Sequence, residues 1–315
     1  MTRISAPGKL VVAGAFVVLD GAPAIGVAVA PRLVLSLSQA DRNSWPIEDP
    51  YARAAIQVSG LDPDNPPHLA ISAEFPEAVT GWSLGSSAAY VTALVAGLTT
   101  WSGRPLLGHA LSEAARTAHR RAQGDIGSGL DVACCALGGT VLFASVDAGG
   151  LADACPYAWP DDIGVVIAKS PVADTTIDRV QRFLRERRSG ADQARSRLVD
   201  AIRVAQAALV QGERAIVNEV LMSMEEVSVR EAEWTASEIP GMEPVVLHAV
   251  KSAVATAGLG RDVVVKSLGA GDAVGMFFDR RNVAESTLLQ VLGTANIQAR
   301  VVHAGSLGTR VECYL

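Results

Sequence analysis

Gly81-Trp82-Ser83-Leu84-Gly85-Ser86-Ser87-Ala88-Ala89 runs without a break into the apolar stretch Ser86–Trp101, which contains no proline. The composition predicts a buried helix over 86–101 opened by a loop of small residues. Small residues let a backbone approach a ligand closely. The first N–H groups of a helix have no partners inside it, and its dipole favours an anion there. Ser86 and Ser87 add hydroxyls that suit phosphate oxygens or the coordination shell of Mg²⁺. The plain alternative is a serine N-cap on a buried helix. A Walker A loop is excluded, because no Gly-Lys-Ser/Thr closes the stretch.

Working outward, three more stretches stand out. Ala6-Pro7-Gly8-Lys9-Leu10 places a lysine at a strand start within an apolar run, where lysines are found only when paired or when their heads reach water. Gln123-Gly124-Asp125-Ile126-Gly127-Ser128-Gly129-Leu130-Asp131 puts Asp131 in the first turn of a short helix, 131–137. A carboxylate is electrostatically favoured there, either as a simple cap or as part of a site. Lys266-Ser267-Leu268-Gly269-Ala270-Gly271-Asp272 lies between two predicted strands. Its glycines suit a turn with positive φ, or a ring of backbone amides around phosphate.

The rest of the chain reads as alternating strands and helices. Leu10–Leu19 and Ala24–Val29 look like strands around the Asp20-Gly21 turn, with another strand at Arg32–Ser38. Residues 42–67 are rich in Pro, Asp and Asn, with one short element near 54–58. Helical spacing marks 106–123, 176–188, 192–211, 215–237, 244–257 and 284–292; strands are expected at 140–145, 163–169, 263–266, 274–278, 300–303 and 310–314. Residues 147–162, rich in Gly, Asp and Pro, are the expected boundary between an N-terminal domain over 1–160 and a C-terminal one over 161–315. The fold class is α/β (α+β), helices covering sheets.

Composition limits the function. The 315 residues are 49% apolar and 19% charged, enough for a core and against disorder. With 27 Lys plus Arg against 33 Asp plus Glu, the net charge of −6 argues against a nucleic-acid surface. Cys134, Cys135, Cys155 and Cys313 form no CxxC pair, which fits a reducing cytoplasm. The five histidines show no metal-ligand spacing. The start from Met1 lacks the apolar region of a signal peptide, and 10–30 is too interrupted to span a membrane, so no membrane partner is expected. Trp45, Trp82, Trp101, Trp159 and Trp234 read as packing residues, although Trp82 sits in the Gly-Ser loop.

The order of these stretches, from Ala6 to Asp272, resembles the GHMP kinases (galactokinase, homoserine kinase, mevalonate kinase, phosphomevalonate kinase). The resemblance implies a two-domain GHMP kinase fold: an N-terminal domain like ribosomal protein S5 domain 2 and a ferredoxin-like C-terminal domain. It implies Lys9 and Asp131 as catalytic residues, and Gly81, Ser83, Leu84, Gly85, Ser86, Ser87 and Ala88 as the ATP-phosphate loop. Ser86 and Ser87 would also face Mg²⁺. Ser128, Gly129, Thr175, Thr176, Lys266, Gly269, Ala270, Gly271 and Arg120 would contact the acceptor.

Within the superfamily, His119–Gly124 followed by Gly127-Ser128-Gly129-Leu130-Asp131-Val132-Ala133 is most similar to phosphomevalonate kinases, and Thr175-Thr176…Val180 resembles their Ser/Thr-x-x-x-Val segment. The acceptor implied is a small phosphorylated acid, phosphomevalonate, with ATP and Mg²⁺ as the other components and a cytoplasmic setting. Arg121, Lys169 and Arg179 are further cations for bringing two polyanions together. Mevalonate kinase or another small-alcohol kinase is the alternative; a kinase-like protein that binds a metabolite without catalysis is a third reading. The oligomeric state stays open, a homodimer included. The chain departs from the family pattern at Ala15 for a glutamate, Ser83 for a glycine, His119 where a Mg²⁺-binding glutamate is usual, and Asp272 where more glycine is usual.

Overall fold

The computed structural model describes residues 1–41, 48–64, 68–74, 82–144, 153–170, 176–187, 192–269 and 273–313. In chain order these form β1 (Thr2–Ala13), β2 (Ala24–Gln39), α1 (Pro50–Val58), β3 (Leu69–Glu74), α2 (Ser86–Trp101), α3 (Gly108–Ala122), α4 (Leu130–Leu137), β4 (Thr140–Ala144) and β5 (Asp153–Tyr157). There follow β6 (Ile163–Lys169), α5 (Thr176–Glu186), α6 (Asp192–Leu209), α7 (Val217–Glu238), α8 (Val245–Thr256), β7 (Val263–Leu268), β8 (Ala273–Asp279), α9 (Glu285–Thr294), β9 (Ala299–Val301), β10 (His303–Ala304) and β11 (Arg310–Cys313). One sheet has the order β11-β1-β2-β4-β5, with β3 and β10 also pairing β2; the other has the order β7-β8-β6-β9.

The predicted helices and strands recur within a few residues at each end, with three differences near the start. β1 begins at Thr2, eight residues before the expected Leu10, so Lys9 lies within the strand and not at its start. Val17–Asp20 is a turn of 3-10 helix rather than the end of a strand. Gly14 stops β1: its φ is +82°, and a Cβ there would lie 2.7 Å from the Pro23 carbonyl oxygen. The stretch 32–38 is not separate but continues β2. Two elements, β3 and β5, escaped the sequence reading altogether.

The chain divides into two compact units, each drawn from separated segments: 1–10, 27–141 and 306–315 in the first, 11–26 and 142–305 in the second. The expected division at 160/161 follows chain order, whereas these units do not.

In the first unit, β11 pairs antiparallel with β1 (Thr2 opposite Cys313), and β3 pairs antiparallel with β2 (Gln39 opposite Leu69). Helices α1, α2, α3 and α4 pack on one another. α2 is nearly all core, with Val91, Leu94, Val95 and Leu98 fully buried against Ile4, Leu33 and Leu35. Each such side chain contributes about 1.5–3 kcal/mol of burial. Asp49 starts α1 by accepting the Tyr51 and Ala52 amides at 2.9 and 3.0 Å, with Pro50 at the first helical position.

In the second unit, β8 is central. It pairs antiparallel with β6 (Val166 opposite Met276) and with β7 (Val265 opposite Met276). α8 and α9 cover one core of Val166, Val250, Met276, Phe278 and Leu288. α7 packs along α6 and β7. Among the described residues, no helix is long and apolar enough to cross a membrane.

Candidate active site

β1 presents Lys9 inward: its side chain is 7% exposed. The strand is held against the Gly-Ser loop by a hydrogen bond from the Lys9 amide to the Leu84 carbonyl, 2.8 Å. A Cβ at Gly8 would meet that same carbonyl at 3.0 Å, so the neighbouring glycine permits the approach. Gly85, in the left-handed region at φ +75°, precedes α2. A Cβ there would lie 2.6 Å from Lys9 Cε and 2.7 Å from Cγ. The lysine stem therefore fills the space a side chain at position 85 would need.

The Lys9 ammonium ends 3.0 Å from Asp131 Oδ2, whose side chain is 30% exposed. Asp131 sits in the first turn of α4, begun by Gly129 at φ +89°. A Cβ at Gly129 would collide with Arg116 Cδ at 2.3 Å, so this turn also depends on glycine. Ser128 Oγ accepts the Leu130 amide at 3.3 Å and shapes the same turn.

The α2 N-terminus carries no capping side chain and no acidic residue in its first turn. Its first amides have no partners within the helix, and Ser86, Ser87 and the buried Ala88 line its start. A groove of about 830 Å³, counting the part open to solvent, runs beside it between Asp49, Tyr51, Ile71, Ala73, Ser86, Ser87 and Tyr90. Burial, with help from the Asp49 charge, pushes the Tyr90 phenol up to about 12.

His119 joins this region, and the sequence singled it out only as the residue in a glutamate's place. It is 7% exposed on α3. Its Nε2 lies 3.3 Å from Ser87 Oγ and 3.2 Å from Gln123 Nε2, and Gln123 Nε2 also donates to the Tyr51 hydroxyl at 3.1 Å. Burial lowers the His119 pKa; Asp131 raises it and Lys9 lowers it further. A neutral imidazole accepting at Nε2 satisfies the amide assignment, and it directs the Ser87 O–H toward the ring.

The other predicted site residues divide by place. Ser83 (φ +58°) and Leu84 form the turn ahead of Gly85. Arg120, half-buried on α3, donates to the Asp125 carbonyl at 3.0 Å and so closes the turn after that helix. In the second unit, Lys266 is 1% exposed, its ammonium 2.8 Å from Glu231 Oε2 and 2.9 Å from the Ser267 carbonyl. The Gly269 amide donates to the Val11 carbonyl at 3.0 Å. Thr176 opens α5. Gly81, Thr175, Ala270 and Gly271 lie outside the described residues.

Among the described residues there is no cluster of three or more His, Cys, Asp or Glu able to hold a metal ion by itself. Mg²⁺ does not require one: it keeps several waters and takes one or two carboxylates together with substrate phosphates. Ser87 Oγ and the Asp131 carboxylate are the hard oxygen donors that fit this requirement.

Comparison with known proteins bears on the fold. Residues 51–139 match the family model described as GHMP kinases N terminal domain. A Lin0012 protein from Listeria innocua has a similar structure, with TM-score 0.80 at 19% identity over 99% of each chain. Streptococcus pneumoniae phosphomevalonate kinase in complex with phosphomevalonate and AMPPNP gives 0.76 at 17% identity, covering 96% of this chain and 100% of that one. Methanococcus jannaschii mevalonate kinase gives 0.71 at 13%, covering 96% and 98%. No curated protein sequence matches.

Proposed function

We propose, from the premise that residues 51–139 are a GHMP kinase N-terminal domain on a chain with the GHMP kinase fold, that this protein is an ATP-dependent phosphotransferase. Its acceptor is a small phosphorylated acid, phosphomevalonate, and its product diphosphomevalonate. The observation that carries the reading is the Lys9–Asp131 pair, 3.0 Å apart, with the lysine stem against Gly85 at the start of α2.

Phosphoryl transfer is chiefly positioning plus electrostatic stabilisation. The triphosphate lies on the first amides of α2 and the hydroxyls of Ser86 and Ser87, and the base in the groove between Tyr51, Ile71 and Tyr90. An acceptor oxygen attacks the γ-phosphorus. The bond to the β,γ-bridging oxygen breaks, and ADP leaves with that electron pair. Lys9 neutralises charge growing between the two, and Asp131 keeps the ammonium in place. Ser87 and Asp131 would hold Mg²⁺, which would supply neutralisation of the negative charge on the phosphates.

A phosphate monoester has a second pKa of about 6 and is largely deprotonated at neutral pH, so this acceptor needs no general base. An alcohol acceptor does need one. The alternative reading, mevalonate kinase or another small-alcohol kinase, therefore gives Asp131 a second task as proton acceptor. His119 in a glutamate's place and the similarity of 119–133 to phosphomevalonate kinases favour the phosphorylated acid. An enzyme of this kind works where ATP is made and used, in the cytoplasm.

The test is coupled ADP release with ATP and Mg²⁺ across phosphomevalonate, mevalonate, homoserine and galactose. Turnover of phosphomevalonate above the other three is expected. ADP from mevalonate but none from phosphomevalonate selects the alternative. A Lys9→Ala variant as fast as the parent selects the non-catalytic reading.

A further inference from the structure

One side-chain amide joins the two ends of the groove beside α2. Gln123 follows the last residue of α3, and its backbone N–H closes that helix on the His119 and Arg120 carbonyls at 3.2 and 3.0 Å. Its side chain stands one turn from His119 on the same face. Gln123 Nε2 lies 3.1 Å from the Tyr51 hydroxyl and 3.2 Å from His119 Nε2. Its other end, Oε1, is turned toward Gly127, where a Cβ would lie 3.7 Å away. The imidazole is fixed as well: it is 7% exposed and packs on the Tyr51 ring at 5.6 Å.

These contacts determine where a proton sits. An amide –NH₂ has two donors and its nitrogen accepts nothing. One hydrogen goes to Tyr51 and the other to His119 Nε2, so that nitrogen carries the lone pair and Nδ1 the proton. Ser87 Oγ stands 3.3 Å from the same Nε2. A nitrogen that only accepts leaves Ser87 one way to bond to it, by donating its O–H. One in-plane lone pair then serves two donors, which suits the length of both contacts.

The consequence falls on the groove side, where Ser87 and Tyr51 both form the wall. A serine hydroxyl whose proton is committed to a ring has only lone pairs to offer a ligand. It suits a cation and cannot donate to phosphate. With the amide reversed, His119 Nε2 would carry the proton and donate to Ser87, and the Ser87 O–H would be free for a phosphate oxygen. The orientation of Gln123 therefore decides between two roles for Ser87.

We propose that Gln123 and His119 are positioning residues that make Ser87 a lone-pair donor to the metal ion accompanying the nucleotide, with Ser86 the hydroxyl that donates to phosphate. Neither side chain lines the groove; each acts through the Ser87 hydroxyl. The inference rests on the phosphotransferase reading in one respect, that the metal arrives with ATP.

The test has two parts, both on the full chain. Long-range proton–nitrogen correlation NMR of nucleotide-free protein reads the tautomer of His119, identified as the histidine signal lost in His119→Gln. An unprotonated Nε2 is expected; a proton on Nε2 overturns the proposal without recourse to a further variant. Electron paramagnetic resonance then gives the affinity for Mn²⁺·AMPPNP in the parent, Gln123→Met, Ser87→Ala and the double variant. Gln123→Met should weaken binding about 2- to 10-fold, as for one hydrogen bond. In the Ser87→Ala background it should change nothing, because the hydroxyl it orients is gone. An equal loss in both backgrounds, as for a merely structural role, or no loss in either, overturns the proposal. No binding of Mn²⁺·AMPPNP by the parent overturns it together with the phosphotransferase reading. The expected coupling, in a parent that releases no ADP with any acceptor, upholds the positioning role and removes the phosphotransferase reading. Turnover of phosphomevalonate with a Mn²⁺·AMPPNP affinity that Gln123→Met does not move does the reverse.

Discussion

Gly85 and Lys9 compete for one volume: a Cβ on Gly85 would lie 2.6 Å from Lys9 Cε, well inside contact distance. Gly85 also has a φ of +75°, which costs a residue with a side chain about 1–2 kcal/mol. Gly85→Ala should therefore lower stability by about that amount and push the lysine aside. Misplacing a catalytic group by about 1 Å can cost about 10²-fold. ADP release by Gly85→Ala should fall by a similar factor, with the urea midpoint lowered only modestly. A variant with full activity would show that the position of the lysine stem does not matter.

The two partners of the Lys9–Asp131 pair should respond unequally. Lys9→Met removes the charge that faces the phosphoryl group and leaves Asp131, 30% exposed, to be solvated by water, so kcat should fall about 10²- to 10³-fold with a smaller loss of stability. Asp131→Asn leaves an ammonium 7% exposed without its counter-charge. Losing one partner of a fully buried pair costs about 3–5 kcal/mol. Asp131 is itself 30% exposed, so screening reduces the expected loss to about 1–3 kcal/mol. Urea unfolding of the two variants checks the order. Greater destabilisation by Lys9→Met would reverse the argument.

What the sequence reveals depends on how local the cause is. α2 is legible because its burial is nearly all round and its apolar run is unbroken. Lys9, Gly85 and Asp131 are legible as an ordered set, but their contact joins three distant segments that no local period records. β3 is missed because only Leu69 is buried along it, while the rest alternates between half-buried and exposed. Val17 and Val18 read as strand by composition; Gly14 turns the chain before them, and they are buried in a 3-10 turn. Lys266 reads as an available cation, whereas its partner Glu231 lies on α7, too far back in the chain for spacing to suggest it. The Tyr51–Gln123–His119–Ser87 chain has the same origin: α1, the α3 terminus and the start of α2 converge only after folding.

His119 gives the protein a defined response to acid. Burial is the largest cause of its lowered pKa, so the folded value lies below the ordinary 6.5. Between the folded value and 6.5, the unfolded chain takes up a proton that the folded chain refuses. The contribution is therefore in place above pH 6.5 and is lost as pH falls toward the folded value. His119→Gln removes this proton uptake. Urea unfolding of nucleotide-free protein in EDTA, at pH 7.5 and at pH 5.5, should show a smaller acid loss in the variant than in the parent. Equal losses would mean that the imidazole is not held neutral.

Lys266 and Glu231 form the most deeply buried ion pair among the described residues, with side chains 1% and 11% exposed. Taking two charges out of water is costly, and their attraction offsets the cost only while both are present. Lys266→Met leaves the Glu231 carboxylate with the Gly14 amide as its remaining partner. A loss of about 3–5 kcal/mol is expected. Glu231→Gln keeps an oxygen for that amide but strands the ammonium, with only the Ser267 carbonyl left to it, and should cost a similar amount. Replacing both, Glu231→Gln with Lys266→Met, removes the stranded charge in either case. The double variant should thus be more stable than either single one, a coupling that additive losses cannot produce. Urea unfolding of the four proteins measures it directly. Additive destabilisation would mean that each side chain is held by packing, and that the carboxylate does not secure the Gly14 turn through its charge balance with Lys266.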